Sequence, residues 1–268
     1  MKRPGALRSN LRRGVYIIPT SLTVLNLFFG FRCIINATRG LQAITQNRAD
    51  LASHFFEVAC ISLLVAAIFD TFDGLIARAL GATSEFGKEY DSLADVVTFG
   101  AAPAVLVYAW SLHTLGNLGG GIAFLFLTAV SLRLARFNIM TGKTDYRYFV
   151  GLPSPAGALT IAAIINYAPS PVTDKRFALV MIIVTACVAF SMVAPVRYRS
   201  QKGINMQKER PLVAILVLAL IAAIGFAWPK ELALLAAILY LTSGPLMRLW
   251  SIAFPAHKEE ELKPVEVP

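Results

Sequence analysis

Apolar blocks of about twenty residues, separated by short charged loops, recur along the whole chain, and that spacing leaves few folds open. About eight such blocks can be drawn, at roughly 16–37, 55–81, 91–112, 119–140, 153–169, 177–196, 211–228 and 231–254. Each approaches the ~20 residues that a helix needs to cross a hydrocarbon core of about 30 Å. Backbone polar groups in lipid must be satisfied within one element or a closed barrel, so blocks of this length predict an all-α, polytopic helical bundle. Composition agrees: 56% of the 268 residues are hydrophobic and 15% are charged, whereas a soluble domain is nearer a quarter charged. The 153–169 block is short, and only "WPKE" separates the last two.

The net charge of +9 does not form the basic stripe of a nucleic-acid binder, and no nucleic-acid partner is expected. Lysines and arginines instead gather between alternate blocks. With the N-terminus in the cytoplasm, the inner loops hold Lys2, Arg3, Arg8, Arg12, Arg13, Lys88, Lys143 and Arg147, then Arg197, Arg199, Lys202, Lys208 and Arg210. The outer side keeps few, among them Arg39, Arg48 and Lys230. This asymmetry predicts a cytoplasmic N-terminus. Residues 1–14 read as a basic interfacial or disordered segment, without a cleavable signal, and 255–268 as a disordered cytoplasmic tail. The three cysteines lie singly in apolar blocks and read as small buried hydrophobes. No second domain and no internal repeat is visible.

One stretch breaks the apolar pattern. "DTFDGLIARALGATSEFGKEYDSLAD", Asp70 to Asp95, carries four aspartates, two glutamates, an arginine and a lysine. Charges at membrane depth are costly and mark function. Asp70 lies about 22 Å along the second helix from its outer entry near Phe55, in the inner third of the bilayer. On that helix Asp73, Gly74 and Ala77 fall within about 60° of Asp70. Two carboxylates therefore share a face with two very small residues, which leave room for a flat group to approach the backbone. Arg78 points to the same mouth. After a short polar loop, Gly87, Asp91 and Asp95 follow at four-residue steps and form one stripe on the third helix. An antiparallel pair would bring the two stripes together. Four carboxylates that close cannot all stay ionised unaided, and one arginine neutralises only one of them. Two hard divalent cations, Mg²⁺ or Mn²⁺, would solve the problem with oxygen ligands from Asp70, Asp73, Asp91 and Asp95. Two metals beside an arginine and a glycine-lined slot point to phosphoryl transfer on a nucleotide diphosphate. The bland alternative is a set of interfacial charges that share no site.

Asp70-x-x-Asp73-Gly74-x-x-Ala77-Arg78, eight residues, Gly87-x-x-x-Asp91-x-x-x-Asp95 resembles the CDP-alcohol phosphotransferase signature at every fixed position. "TVLNLFFGF", "SEFGKEYDSLADVVTFGAAPA", "RLARFN" and "GLPSPAGA" are similar to the membrane-embedded CDP-diacylglycerol–serine O-phosphatidyltransferase branch. The resemblance covers roughly residues 15–200 and implies a transmembrane catalytic domain over 15–254. It implies displacement of CMP from CDP-diacylglycerol by the hydroxyl of L-serine, at a cytoplasm-facing site in the inner membrane of a homodimer. It further implies metal binding by the first three aspartates and a general-base role for Asp95, which also approaches metal. Gly74 and Ala77 would line the cytidine pocket, with Gly87 beside it, and Arg78 would contact phosphate. Other acceptors, such as glycerol 3-phosphate, an inositol phosphate or choline, stay open, as does a covalent phosphatidyl-aspartate. From another class, a divalent-metal transporter would also explain intramembrane carboxylates, but transporters place such groups near the midplane on broken helices.

Several residues have two readings. Thr23 and Asn26, one turn apart, are candidate substrate contacts, Asn26 through the diphosphate; the alternative is helix packing. Arg133 and Arg136 could take the serine carboxylate through forked donors or serve as positive-inside anchors. Ser154, between two prolines, could meet substrate or cap the fifth span, and the cap is expected. Pro103 is expected to bend the third. "GNLGGG", Gly116 to Gly121, lacks the Lys-Ser/Thr ending of a phosphate cradle.

Overall fold

The computed structural model describes residues 4–80, 84–140, 148–194, 197–199 and 227–253. They are helical throughout, apart from short connections and one antiparallel pairing of Tyr148–Val150 (β1) with Arg197–Arg199 (β2), Phe149 opposite Tyr198. Helix α1 (Pro4–Thr45) starts within the basic N-terminal stretch and runs through Pro19. It turns through Asn47, whose φ of 57° is one that asparagine tolerates. The turn is closed by Arg48 N–H donating to the Ala43 carbonyl at 3.0 Å. Helix α2 (Ala49–Leu80) returns antiparallel and packs along α1.

The third expected span is not one continuous α-helix. It consists of α3 (Glu85–Asp95), a π-helical turn (Val96–Ala101) and α4 (Ala102–Trp110). Pro103, expected to bend this span, stands in the first turn of α4, directly after the π turn. Proline has no N–H to give to the preceding turn, and the wide turn ends at Ala102, whose N–H reaches the Val97 carbonyl five residues back. Gly30 of α1 faces this turn so closely that a Cβ there would lie 2.8 Å from Thr98 Cα. After a 3₁₀ turn (Leu112–Leu115) come α5 (Asn117–Met140), α6 (Ser154–Tyr167), α7 (Lys175–Val193) and α8 (Pro229–Ala253).

Among the described residues, five segments are long and apolar enough to cross a membrane: Pro19–Thr45, Ala49–Leu80, Glu85–Trp110, Asn117–Ile139 and Lys175–Val193. Of the other three expected spans, α6 has only 14 residues, about 21 Å of helix. The 211–228 block lies almost wholly outside the described residues, and α8 forms a helix at the position of the last. The tail after 253 also lies outside them. Large side chains fill the core, with Trp110, Phe56, Phe99, Phe126 and Leu106 fully buried. Phe31, Ile61, Phe124, Ile183 and Phe190 are more than half exposed, as expected of surfaces that meet acyl chains rather than water.

Two details position the later helices. Trp110 Nε1 donates to the Ser170 carbonyl at 2.9 Å, and Val172 N–H donates to the Trp110 carbonyl at 3.0 Å, which ties the α6–α7 connection to the end of α4. At the start of α6, Gly151 adopts φ +85°, a left-handed conformation glycine takes at little cost. Leu152 N–H then bonds the Ser191 carbonyl of α7 at 2.9 Å. Ser154 is not the cap expected of it. Pro153 holds that position, without a side-chain cap, and the Ser154 hydroxyl serves another group.

Candidate catalytic site

The two acidic stripes meet. Asp70 of α2 and Asp91 and Asp95 of α3 each offer a carboxylate oxygen, and these oxygens lie within 4.8 Å of one another. At that separation a shared proton or cation would relieve the repulsion between these carboxylates. Helix periodicity explains the stripe on α3. The cap explains its start: Ser84 Oγ accepts from Gly87 N–H at 3.0 Å, with extended backbone at Ser84. Gly87 thus sits in the capped first turn, one turn before Asp91, where a Cβ would meet Ser84 Oγ at 3.0 Å.

Asp73 stands beside the cluster rather than in it. It is buried, at 7% exposure, and its Oδ2 is held by the hydroxyl of Thr23 from α1, which also lies 3.2 Å from the Pro19 carbonyl. Asn26, fully buried one turn further along α1, donates from Nδ2 to Asp95 Oδ1 at 3.3 Å. Thr98 of the π turn reaches the Asn26 carbonyl, also at 3.3 Å. Both candidate substrate contacts of α1 therefore brace aspartates in this structure. Arg78 is exposed and folds back over Gly74, its Nη1 3.5 Å from where a Cβ of that glycine would be. The absent side chain leaves the guanidinium room at the mouth, with Ala77 half-buried beside it.

The two arginines of α5 part company. Arg136 is exposed and donates from Nη1 to the Val193 carbonyl at 3.4 Å, at the end of α7. Arg133 turns inward, within electrostatic reach of Asp95 and of Tyr240 on α8. Its Nη1 donates to Ser154 Oγ at 2.7 Å. Among the described residues the only ion pair is Lys230 with Glu57, at 2.6 Å, so Arg133 approaches Asp95 without a direct salt bridge. Tyr240 is the residue of this group that sequence reasoning missed, whereas Ser154 had contact with substrate as its second reading. The prolines flanking Ser154 were the available signal; Tyr240 had none, sitting in an ordinary apolar block.

The donors suit a hard divalent cation. They are all oxygen and carry formal negative charge. Two acceptors, Asp91 Oδ1 and Asn26 Oδ1, are buried without a hydrogen-bond partner, which is costly unless something positive or protonated meets them. Asp70, Asp91 and Asp95 are thus a group that could hold a metal ion.

Comparison with known proteins agrees with this chemistry. The sequence model of the CDP-alcohol phosphatidyltransferase family matches residues 16–193, which include every aspartate of the site. A CDP-diacylglycerol–serine O-phosphatidyltransferase of Helicobacter pylori is 30% identical over 235 residues, covering 86% of this chain and 90% of that protein. One of Mycobacterium leprae is 30% identical over 268 residues, covering 96% and 83% respectively. The archaetidylserine synthase of Methanothermobacter thermautotrophicus is 34% identical over 182 residues, covering 66% and 69%. The chain belongs to the CDP-alcohol phosphatidyltransferase family.

Proposed function

We propose that this protein is a phosphatidylserine synthase, transferring the phosphatidyl group of CDP-diacylglycerol to the hydroxyl of L-serine and releasing CMP. The observation that carries this reading is an inward-turned Arg133, held by Ser154 Oγ at 2.7 Å, within electrostatic reach of Asp95 in the Asp70–Asp91–Asp95 cluster. A guanidinium suits a carboxylate, and serine bears its carboxylate close to its hydroxyl. An acceptor anchored at Arg133 presents that hydroxyl to Asp95. The relatives support serine as acceptor, since their names keep serine while the lipid part differs.

In this reading Asp95 takes the serine hydroxyl proton as general base. The serine oxygen forms a bond to the lipid-linked phosphorus, and the bond from that phosphorus to the bridging oxygen breaks, its electron pair leaving with CMP. Asp70, Asp73, Asp91 and Asp95 would hold two Mg²⁺ or Mn²⁺ ions, whose charge offsets that of the diphosphate. In this scheme the Thr23 hydroxyl keeps Asp73 in place and the Asn26 amide orients Asp95. Gly74 and Ala77 line the cytidine pocket, with Gly87 at its edge, and Arg78 meets phosphate at the mouth. The amphiphile fits a site of this depth: its acyl tails lie in the inner leaflet and its nucleotide is in the cytosol. The enzyme would sit in the inner membrane with its site facing the cytoplasm, as a homodimer; the last of these rests on the family resemblance alone.

The test is incorporation of labelled serine into chloroform-soluble product by purified protein with CDP-diacylglycerol, before and after chelation. Serine-dependent phosphatidylserine and CMP, lost with chelator and restored by Mg²⁺ or Mn²⁺, are expected. Turnover of another alcohol with no phosphatidylserine would overturn the choice of acceptor.

A further inference from the structure

We infer that Ser154 is a positioning residue for the acceptor: its hydroxyl holds the Arg133 guanidinium so that the opposite edge stays open to a carboxylate. This rests on the assignment of Arg133 to the acceptor given above and adds to it how that side chain is aimed.

Arginine offers donors along two forked edges, one formed by Nε with Nη2 and the other by the two terminal nitrogens. Ser154 Oγ takes Nη1 at 2.7 Å, which removes the terminal fork from use. The side edge remains, and its Nε is buried with no hydrogen-bond partner. A buried, unpartnered donor on a cation is costly unless a ligand supplies the acceptor. None of the described carboxylates does so, since Arg133 makes no ion pair among the described residues. The charge that waits there is positive, forked and planar, within electrostatic reach of Asp95. Those are the features that recognise the carboxylate of a small amino acid.

The backbone places Ser154 for this task. It is fully buried and is the first residue of α6. Leu152, two residues earlier, is anchored to the Ser191 carbonyl of α7 at 2.9 Å, and Gly151 makes the turn before it. The hydroxyl is therefore presented from a fixed helix start. Tyr240, within electrostatic reach of the guanidinium, closes the α8 side. The consequence is specificity: with Arg133 free to swing, an alcohol lacking the carboxylate would lose less than serine does.

The experiment compares Ser154→Ala, Ser154→Thr and Arg133→Gln in the full-length protein in lipid nanodiscs, measuring KM separately for L-serine and for CDP-diacylglycerol. Thermal melting accompanies each variant. Ser154→Ala should raise the serine KM about tenfold, the scale of one lost hydrogen bond to a charged group. The KM for CDP-diacylglycerol should stay within about twofold, and Ser154→Thr, which keeps the hydroxyl, should recover most of the loss. Arg133→Gln should raise the serine KM further still. If Arg133→Gln raises the serine KM and Ser154→Ala does not, the positioning role fails and the acceptor assignment stands. If Arg133→Gln leaves the serine KM unchanged, both fail. A Ser154→Ala variant that shifts both KM values equally, without rescue by threonine, would make Ser154 a packing residue and overturn the inference.

Discussion

Gly30→Ala adds one methyl group to α1, four residues from Asn26, and should disable the site without touching a reacting group. The new Cβ would stand 2.8 Å from Thr98 Cα and 2.9 Å from Thr98 Cβ. That is about 0.7 Å inside the ~3.5 Å at which carbon atoms meet comfortably. The nearest obstacle includes backbone, so a rotamer change cannot relieve it. Either α1 or the π turn has to move, at a cost of about 1–3 kcal/mol typical of overpacking. Movement there strains two contacts already at 3.3 Å, Asn26 to Asp95 and Thr98 to the Asn26 carbonyl. Displacing a catalytic group by about 1 Å can lower a rate by about a hundredfold. We expect serine incorporation by Gly30→Ala to fall tenfold to a hundredfold while the protein stays inserted and binds CDP-diacylglycerol within a few-fold of normal. Adding Thr98→Ala should restore only part of the rate, since Thr98 Cα remains in the way. A Gly30→Ala enzyme with unchanged turnover and unchanged melting temperature would refute the link between the helix contact and the placement of Asp95.

Asp91→Asn should weaken binding of Mn²⁺, read by electron paramagnetic resonance titration, and abolish transfer with the protein still inserted; near-normal activity would remove Asp91 from the site. Asp95→Asn should cut turnover about a hundredfold to ten-thousandfold, yet leave retention of a fluorescent CDP-lipid largely intact. An unchanged rate would end its assignment as base. Glu57→Gln breaks the contact with Lys230, but both side chains are over a third exposed. The stability lost should be under about 1 kcal/mol, checked by melting in detergent, with turnover preserved.

The acidic cluster was legible because helix geometry fixes which side chains share a face. Asp70 on one helix and Asp91 and Asp95 on the next could be paired from spacing and one short loop. What lay beyond the sequence depended on contacts between distant helices. Asp73 shares the stripe of Asp70, but Thr23, fifty residues away, draws it aside. Arg133 and Arg136 differ by three positions, about 60° around a helix, and nothing local says which of them faces inward. The π turn was not readable from "VVTFGAAP", an apolar run like any other, because the wide turn answers to both Pro103 and the close approach of Gly30. The bundle class followed from block length alone. The number of spans did not, since α6 is a helix too short to count by composition and length.

The widened turn between Asp95 and Ala102 also sets two unlike halves of one span independently. Ahead of it, α3 buries only Ala94; behind it, α4 buries seven of its nine residues. A uniform helix would lock the angular phase of the wet half to that of the dry half, so that any repacking of the interior would swing the carboxylates away. Spending an extra residue in the turn uncouples the two. Straightening the same residues into a regular α-helix would rotate one half against the other by about 100°, carrying Asp91 and Asp95 off their partners while the interior stayed filled.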